Sequence, residues 1–303
     1  MEYLKSIEIY KGELEKINKN DKELCGYMQN TIGYTYKLLC EENTQQKETD
    51  IQKENKWYHK LWKNIVRYCI KGEGITTTKD TENSIEDWKR QAETYLKKSV
   101  ENNPKGRYHQ NLGAYYATIR DYDKALEQYK LAFNAEKRDD KIYNLIGSVL
   151  LYRAEMKLGI SERFQKGIVL SEITLDKIDE EERLNIQNDI KQAYEWLNLA
   201  IKQVNPIINA YYNYSKACIY DSLFLGGGSQ KMSEADKYLN TVEIIWNMND
   251  SQKPKGYLYT RRNYWEANKE YDKALEINQV IMNDDNSGDA RAAERVYDSK
   301  KRN

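Results

Sequence analysis

The chain has 303 residues, with 48 Lys and Arg against 48 Asp and Glu. It therefore has no formal net charge and lacks the basic surplus of a protein that lives on phosphate backbones. Charged residues make up 32% and the mean hydropathy is −0.92, which fits thin stacked helices with much surface better than one large globular core. No run approaches the roughly 18 apolar residues of a membrane helix, and the opening MEYLKSIEIYKGELEK has no signal-peptide apolar stretch.

Only three prolines interrupt the chain, so little breaks helices. Tyr is abundant, 26 against three Phe. It is expected as the large residue between helices, its hydroxyl reaching water, with some rings free to line a binding surface. Cys25, Cys40, Cys69 and Cys218 form no Cys-x-x-Cys pair and are expected to be buried and reduced in a cytoplasmic protein. The vocabulary rich in Lys, Asn, Ile and Tyr points to an AT-rich, bacterial genome.

In chain order, residues 2–19 read as a helix through Tyr3, Leu4, Ile7, Tyr10, Leu14 and Ile17. Residues 21–41 read as a second, with Asp21 as cap and Tyr27, Ile32, Tyr36 and Leu39 among its apolar positions. Residues 42–52 read as a polar loop. A third helix is expected over 53–71, carrying Trp57, Trp62, Ile65, Tyr68 and Ile70, before the break KGEGITTTKDTENS at 71–84. Residues 1–75 are thus an N-terminal helical segment, whether a cap, a degenerate repeat or a small bundle. Ser84 caps a helix with Glu86-Asp87 in its first turn and Ala92, Leu96 and Val100 as its packing stripe, closed by Pro104.

The stretch GRYHQNLGAYYATIRDYDKALEQYKLAFNAEKRD, 106–139, organises the rest. Leu112, Gly113 and Tyr116 share one helical face, and Ala125, Tyr129 and Ala132 share another. Two helices joined by a tight turn pack closely only where the crossing carries little side chain, and Gly113, Ala125 and Ala132 supply that. Asp121 suits the second helix start. Ile146-Gly147 follows Leu112-Gly113 after 34 residues. This pattern resembles a tetratricopeptide repeat, whose period is 34. Leu112-Gly113, Tyr116, Ala125, Tyr129 and Ala132 match its signature, while His109 and Lys137 stand where Trp and Pro are common.

Residues 141–158 continue as the next first helix, with Tyr143, Ile146, Gly147 and Leu150 in place. The period then fails over 159–186, an insertion in which Ile168, Val169 and Leu170 are able to pack and Asp179 to Arg183 is a charge run. A second helix is expected over 188–203 through Ala193, Leu197 and Ala200, closed by Asn205-Pro206. Residues 207–224 form another first helix, with Tyr211, Tyr214, Ser215 and Cys218 at the signature places. Gly226-Gly227-Gly228 lacks the lysine and preceding strand of a P-loop and reads as a turn. Ser233 is the expected cap of a helix over 233–247 carrying Ala235, Leu239 and Val242. In the last unit, about 254–284, YDKALE at 271–276 is identical to 122–127, but Arg261 and Arg262 take the Leu and Gly places. A terminal helix is expected over 288–300, with a ragged basic end at 300–302.

The resemblance implies an all-α, right-handed superhelical solenoid of helix-turn-helix repeats over 84–285, interrupted at 159–186 and closed by a capping helix and tail over 286–303. It also implies a concave groove lined by first helices. Its positions are Arg107, Gln110 and Ala114, then Lys141, Asn144 and Ser148, then Asn209, Tyr212 and Lys216, and finally Tyr259 and Asn263. The Lys-Asn carboxylate clamp of chaperone-binding relatives is not reproduced, since Gln110 and Ala114 replace it.

Catalytic patterns are missing from the sequence. The two histidines, His59 and His109, form no His-Glu-x-x-His motif, and no paired acid and base stands out. No cofactor or metal is expected. The basic-aromatic stretches 56–71 and 261–265 are expected to pack rather than to hold nucleic acid. The expected function is a non-catalytic adaptor or scaffold for a protein or peptide, with no membrane partner and with nucleic acid reached only through a complex. The alternatives are a peptide-sensing bacterial regulator and a helper subunit of a larger enzyme or nucleic-acid complex.

Overall fold

The computed structural model describes residues 2–17, 21–48, 85–135, 140–247, 253–284 and 288–302. The expectations for 53–71, for the break at 71–84, for the Ser84 cap, and for His59 and Cys69 lie outside them. Among the described residues the chain is all-helical, without strands, and it divides into two units at Arg120–Asp121. That boundary falls inside the 106–139 stretch rather than at the sequence break.

The first unit holds α1 (Glu2–Lys16), α2 (Lys22–Glu48), α3 (Ile85–Asn102) and α4 (Gly106–Thr118). Asp21 caps α2, accepting from the Leu24 N–H at 3.0 Å. The α2 helix continues through 42–48, where a loop was expected. That run holds neither Gly nor Pro and consists of residues that a helix tolerates. Helices α2 and α3 pack along each other, and α4 lies on both. The crossing sits at Gly33, where an added Cβ would fall 2.6 Å from the Leu96 Cγ and 3.1 Å from the Ala92 carbonyl oxygen. Ile32-Gly33 and Ala92/Leu96 are therefore the two halves of one helix pair, although the chain between them runs from 49 to 84. Tyr115 and Tyr116 of α4 donate hydrogen bonds to the Lys89 carbonyl (2.8 Å) and the Glu93 carboxylate (2.9 Å) of α3.

The second unit holds α5 (Tyr122–Ala135), α6 (Asp140–Lys157), α7 (Glu180–Ile201), α8 (Ile208–Phe224), α9 (Gly228–Asn247), α10 (Lys255–Ala267), α11 (Tyr271–Asp284) and α12 (Gly288–Arg302). Each helix packs on the next in sequence. In addition α6 touches α8, and α8 touches α10. The α6–α7 pair repeats the contact seen at Gly33: an added Cβ at Gly147 would fall 2.5 Å from the Leu197 Cγ and 3.2 Å from the Ala193 oxygen. Both YDKALE segments follow a turn with a left-handed non-glycine residue, Arg120 (φ 63°) and Lys269 (φ 62°).

Three further expectations differ from the structure. Helix α7 begins at Glu180, not 188, because Asp179 caps it (2.9 Å from the Glu182 N–H) and the acidic run fills its first turn. Helix α9 begins at Gly228, so Ser233 lies within it rather than at its cap. Residues 300–302 are not a ragged tail but the last turn of α12, where Lys300 pairs with Glu172 and Lys301 with Asp272. Cys25, Cys40 and Cys218 are buried.

Candidate functional site

Helices α6, α8 and α10 carry eight of the eleven groove positions; one polar seam joins α6 to α8, and a second joins α10 to the inserted residues 158–179. On α6, Asn144 and Ser148 stand one turn apart. Both are buried, because Asn213 of α8 donates through its amide nitrogen to the Asn144 Oδ1 (3.0 Å) and the Ser148 Oγ (2.9 Å). Two turns further along α6, Glu155 accepts from Tyr220 Oη at 2.6 Å and pairs with Lys216 Nζ at 3.0 Å. The Lys216 ammonium also lies 5.3 Å from the Tyr152 ring centre. Burial alone pulls the Lys216 pKa down, but the Glu155 carboxylate and Tyr152 outweigh it and hold it above its ordinary value. Tyr220 is fully buried and its hydroxyl pKa is pushed up, by burial first and Glu155 second.

The second seam is built by the insertion. Residues 158–179 leave the end of α6, form single 3-10 turns at Ile160–Glu162 and Leu170–Glu172, and lie against α10. Arg163 is buried there. Its guanidinium donates Nε to Glu266 Oε1 (3.3 Å), Nη2 to Glu266 Oε2 (3.1 Å) and Asn263 Oδ1 (2.9 Å), and Nη1 to the Ile160 oxygen (2.8 Å). Glu266 is wholly buried and accepts two further bonds, from the Leu170 N–H (2.5 Å) and Tyr297 Oη (2.8 Å). The charge is thus compensated by a fork and two more donors, the condition under which a buried ion pair is tolerated. Phe164 meets the Tyr297 ring edge-on at 5.6 Å. It also joins Val169, Ala292, Ala293 and Val296 in an apolar cluster.

These contacts locate each expected groove residue. Arg107 and Gln110 belong to the first unit, Arg107 exposed and Gln110 half-buried; Ala114 beside them is half-buried. In the second unit, Lys141 and Asn209 are exposed near the starts of α6 and α8. Tyr212 is half-buried with its ring on Gly256, where an added Cβ would fall 2.8 Å from Cε2. Tyr259 is half-buried with the Arg262 guanidinium 5.0 Å from its ring centre. Asn144, Ser148, Lys216 and Asn263 are engaged with Asn213, Glu155 and Arg163.

Glu155, Arg163, Asn213, Tyr220, Glu266 and Tyr297 lie outside the expected groove positions. The one available signal was the polar stripe Tyr259, Arg262, Asn263, Glu266 at spacings of three and four along α10. Arg261 and Arg262, at the Leu and Gly places, are buried cations. Arg261 reaches Asp236 (2.6 Å) and Asn240 (2.6 Å), and Arg262 reaches Asn278 (2.9 Å) and Asp289 (3.2 Å).

Among the described residues no cluster of His, Cys, Asp or Glu is arranged to hold a metal ion, and no helix is long and apolar enough to cross a membrane. No protein-family model matches the chain, and no curated protein matches it in sequence. Along α6, α8 and α10 the packed helices hold amides, tyrosine hydroxyls, carboxylates and cations in fixed positions.

Proposed function

We propose that the chain is a non-catalytic protein- or peptide-binding adaptor built as a solenoid of tetratricopeptide-like repeats. The observation that carries this reading is the recurring helix-pair contact. Gly33 on Leu96 and Ala92, and Gly147 on Leu197 and Ala193, place a glycine of the first helix against the same two positions of the second. The contacts of α8 with α6 and α10 add support, because neighbouring first helices meet in this way when they line a common face. A scaffold with several polar side chains fixed on one face suits an extended peptide, whose backbone offers alternating donors and acceptors.

The exposed groove positions Lys141 and Asn209 are the place to test it. Tagged protein is used to capture partners from its native cell, alongside a Lys141→Ala/Asn209→Ala variant checked for unchanged thermal unfolding. A partner captured by the wild type and lost in the variant is the expected result. Equal capture by both removes the α6–α8 end of this face as the interface. Substituting Lys216 is unsuitable, because it also strips Glu155 of its cation.

A further inference from the structure

Helix pairs in the second unit turn within a few residues: 225–227 join α8 to α9, and 268–270 join α10 to α11. The α6–α7 pair instead spends residues 158–179 on the same task. That surplus chain does not stay at its own turn. It crosses to α10 and α12, and its contacts have the form of a bound peptide. Arg163 is gripped by a carboxylate and an amide, Phe164 by an aromatic edge, and the Leu170 N–H by a side-chain carboxylate. The backbone is extended at Val169 (φ −92°, ψ 159°) and Ile173 (φ −74°, ψ 123°). Gly159 and Gly167, at φ 62° and 70°, bracket the Arg163–Phe164 segment with conformations that ordinary residues avoid. Between these anchors Gln165, Lys166 and Gly167 are exposed.

We propose that residues 158–179 are a tethered occupant of the α10 face. Glu266 and Asn263 then form a receptor site for an arginine followed by an aromatic side chain. A partner segment of that chemistry takes the site by displacing this strap. The proposal rests on the peptide-binding reading above and adds to it the ligand chemistry and a self-blocking contact. The arginine requirement follows from the burial of Glu266. A competitor that removes the strap without supplying a cation leaves a desolvated carboxylate short of its fork, whereas one that supplies a guanidinium restores it. Lysine serves less well, since one compact ammonium does not reproduce the planar fork that spans Glu266 and Asn263.

The test uses a labelled peptide of residues 160–170, ISERFQKGIVL, added in trans. Its targets are the full-length protein, a strap-less variant with 159–178 replaced by a turn of about four residues, and a full-length Arg163→Ala/Phe164→Ala variant that keeps the strap but removes its anchors. The strap-less and anchor-less proteins are expected to bind the peptide, with the wild type at least about 10-fold weaker. Changing the peptide arginine to alanine, or Glu266→Gln in the strap-less protein, is expected to weaken binding by about 10- to 100-fold.

Binding that ignores the peptide arginine overturns the proposal, as does a folded strap-less protein that binds nothing. A strap-less chain that fails to fold, with no binding by the anchor-less variant, shows the segment to be core rather than ligand and also overturns it. Failure here with retained, Lys141- and Asn209-dependent partner capture sinks the strap proposal alone. Peptide binding without any such capture sinks the adaptor reading of the exposed face instead.

Discussion

Replacing glycine by alanine inside a helix ordinarily stabilises it, by about 0.5–1 kcal/mol. The two units allow that expectation to be reversed at chosen positions. Gly12 in α1 has open space where a Cβ would go, so Gly12→Ala is expected to gain that amount. At Gly147 the new methyl would stand 2.5 Å from the Leu197 Cγ, 3.0 Å from its Cδ2 and 3.2 Å from the Ala193 carbonyl oxygen. Leu197 is wholly buried, so neither the side chain nor the backbone behind it has room to retreat. Overpacking of a filled site costs about 1–3 kcal/mol. The 2.5 Å approach to a wholly buried side chain places the site in the upper part of that range, about 2–3 kcal/mol, so with a gain of about 1 kcal/mol subtracted Gly147→Ala is expected to lose about 1–2 kcal/mol net. In a unit of this size that lowers the unfolding midpoint by roughly 2–8 °C. Gly33→Ala meets the Leu96 backbone nitrogen at 2.8 Å as well as its Cγ and is expected to cost at least as much. The assay is thermal and urea unfolding of the three single variants, plus Gly147→Ala in a Leu197→Ala background. Truncating Leu197 removes the 2.5 and 3.0 Å contacts and leaves the 3.2 Å approach to the Ala193 oxygen, so in that background most of the cost is expected to disappear. If Gly147→Ala stabilises as Gly12→Ala does, or if its cost survives in the Leu197→Ala background, the helix-pair contact is not what requires glycine and the repeat argument loses its main support.

Three more outcomes are expected. Asp189 is buried and receives the Arg153 fork (Nε to Oδ2 2.9 Å, Nη2 to Oδ1 2.5 Å); Asp189→Ala is expected to cost about 3 kcal/mol by urea unfolding, and a loss below about 1 kcal/mol would mean that the existing pair of Arg153 with Asp123 is enough to hold the guanidinium. Lys269 holds a left-handed conformation (φ 62°) at an exposed turn, so Lys269→Gly is expected to stabilise by up to about 1 kcal/mol, and a destabilised variant would refute the strain. On the acid side, burial alone raises the Glu234 and Glu243 carboxyls, but hydrogen bonds from Tyr214, Lys231 and Lys253 and the nearby cations hold both below the ordinary 4.5. The unfolded chain then binds more protons than the folded one below that value, so this stabilisation is complete above about pH 4.5 and is lost as pH falls through the folded pKa values. Glu234→Gln is expected to flatten the slope of stability against pH between about 3 and 5, and an unchanged slope would remove Glu234 from the account.

The helix pairs were legible where small residues mark a crossing. Gly147 reads within a first-helix signature and Ala193 and Leu197 within a second-helix stripe, and the structure brings them together; the identical YDKALE segments open α5 and α11 as read. Boundaries that depend on competition between local signals were less legible. The run 42–48 reads as loop by polarity, yet nothing in it stops α2. Ser233 reads as a cap, yet the chain turns earlier, at Gly226 (φ 84°), and the helix resumes at Gly228. The groove was legible as a set of positions but not as a set of free side chains. Asn144 and Ser148 are consumed by Asn213, which lies 69 and 65 residues away. Asn263 is consumed by Arg163, 100 residues away. No local pattern announces such partners. The same is true of Arg261 and Arg262, whose acceptors lie on α9, α11 and α12.

The strap separates two roles that sequence periodicity merges. What makes α2–α3 and α6–α7 equivalent is the face contact at glycine, and that contact is indifferent to how much chain joins the two helices. Lengthening a connection costs little beyond its first residues, so a pair already fixed by Gly147 on Leu197 tolerates 158–179 without loosening. The inserted chain is then free to acquire contacts that have nothing to do with its own pair. In the second unit it has acquired a guanidinium that forks onto Glu266 of α10, a carboxylate wholly buried with the strap in place. Glu266 therefore has a stabilising role only while an arginine is present. That dependence, rather than the apolar burial of Phe164, Val169 and Leu170, is what selects the chemistry of anything able to replace the strap.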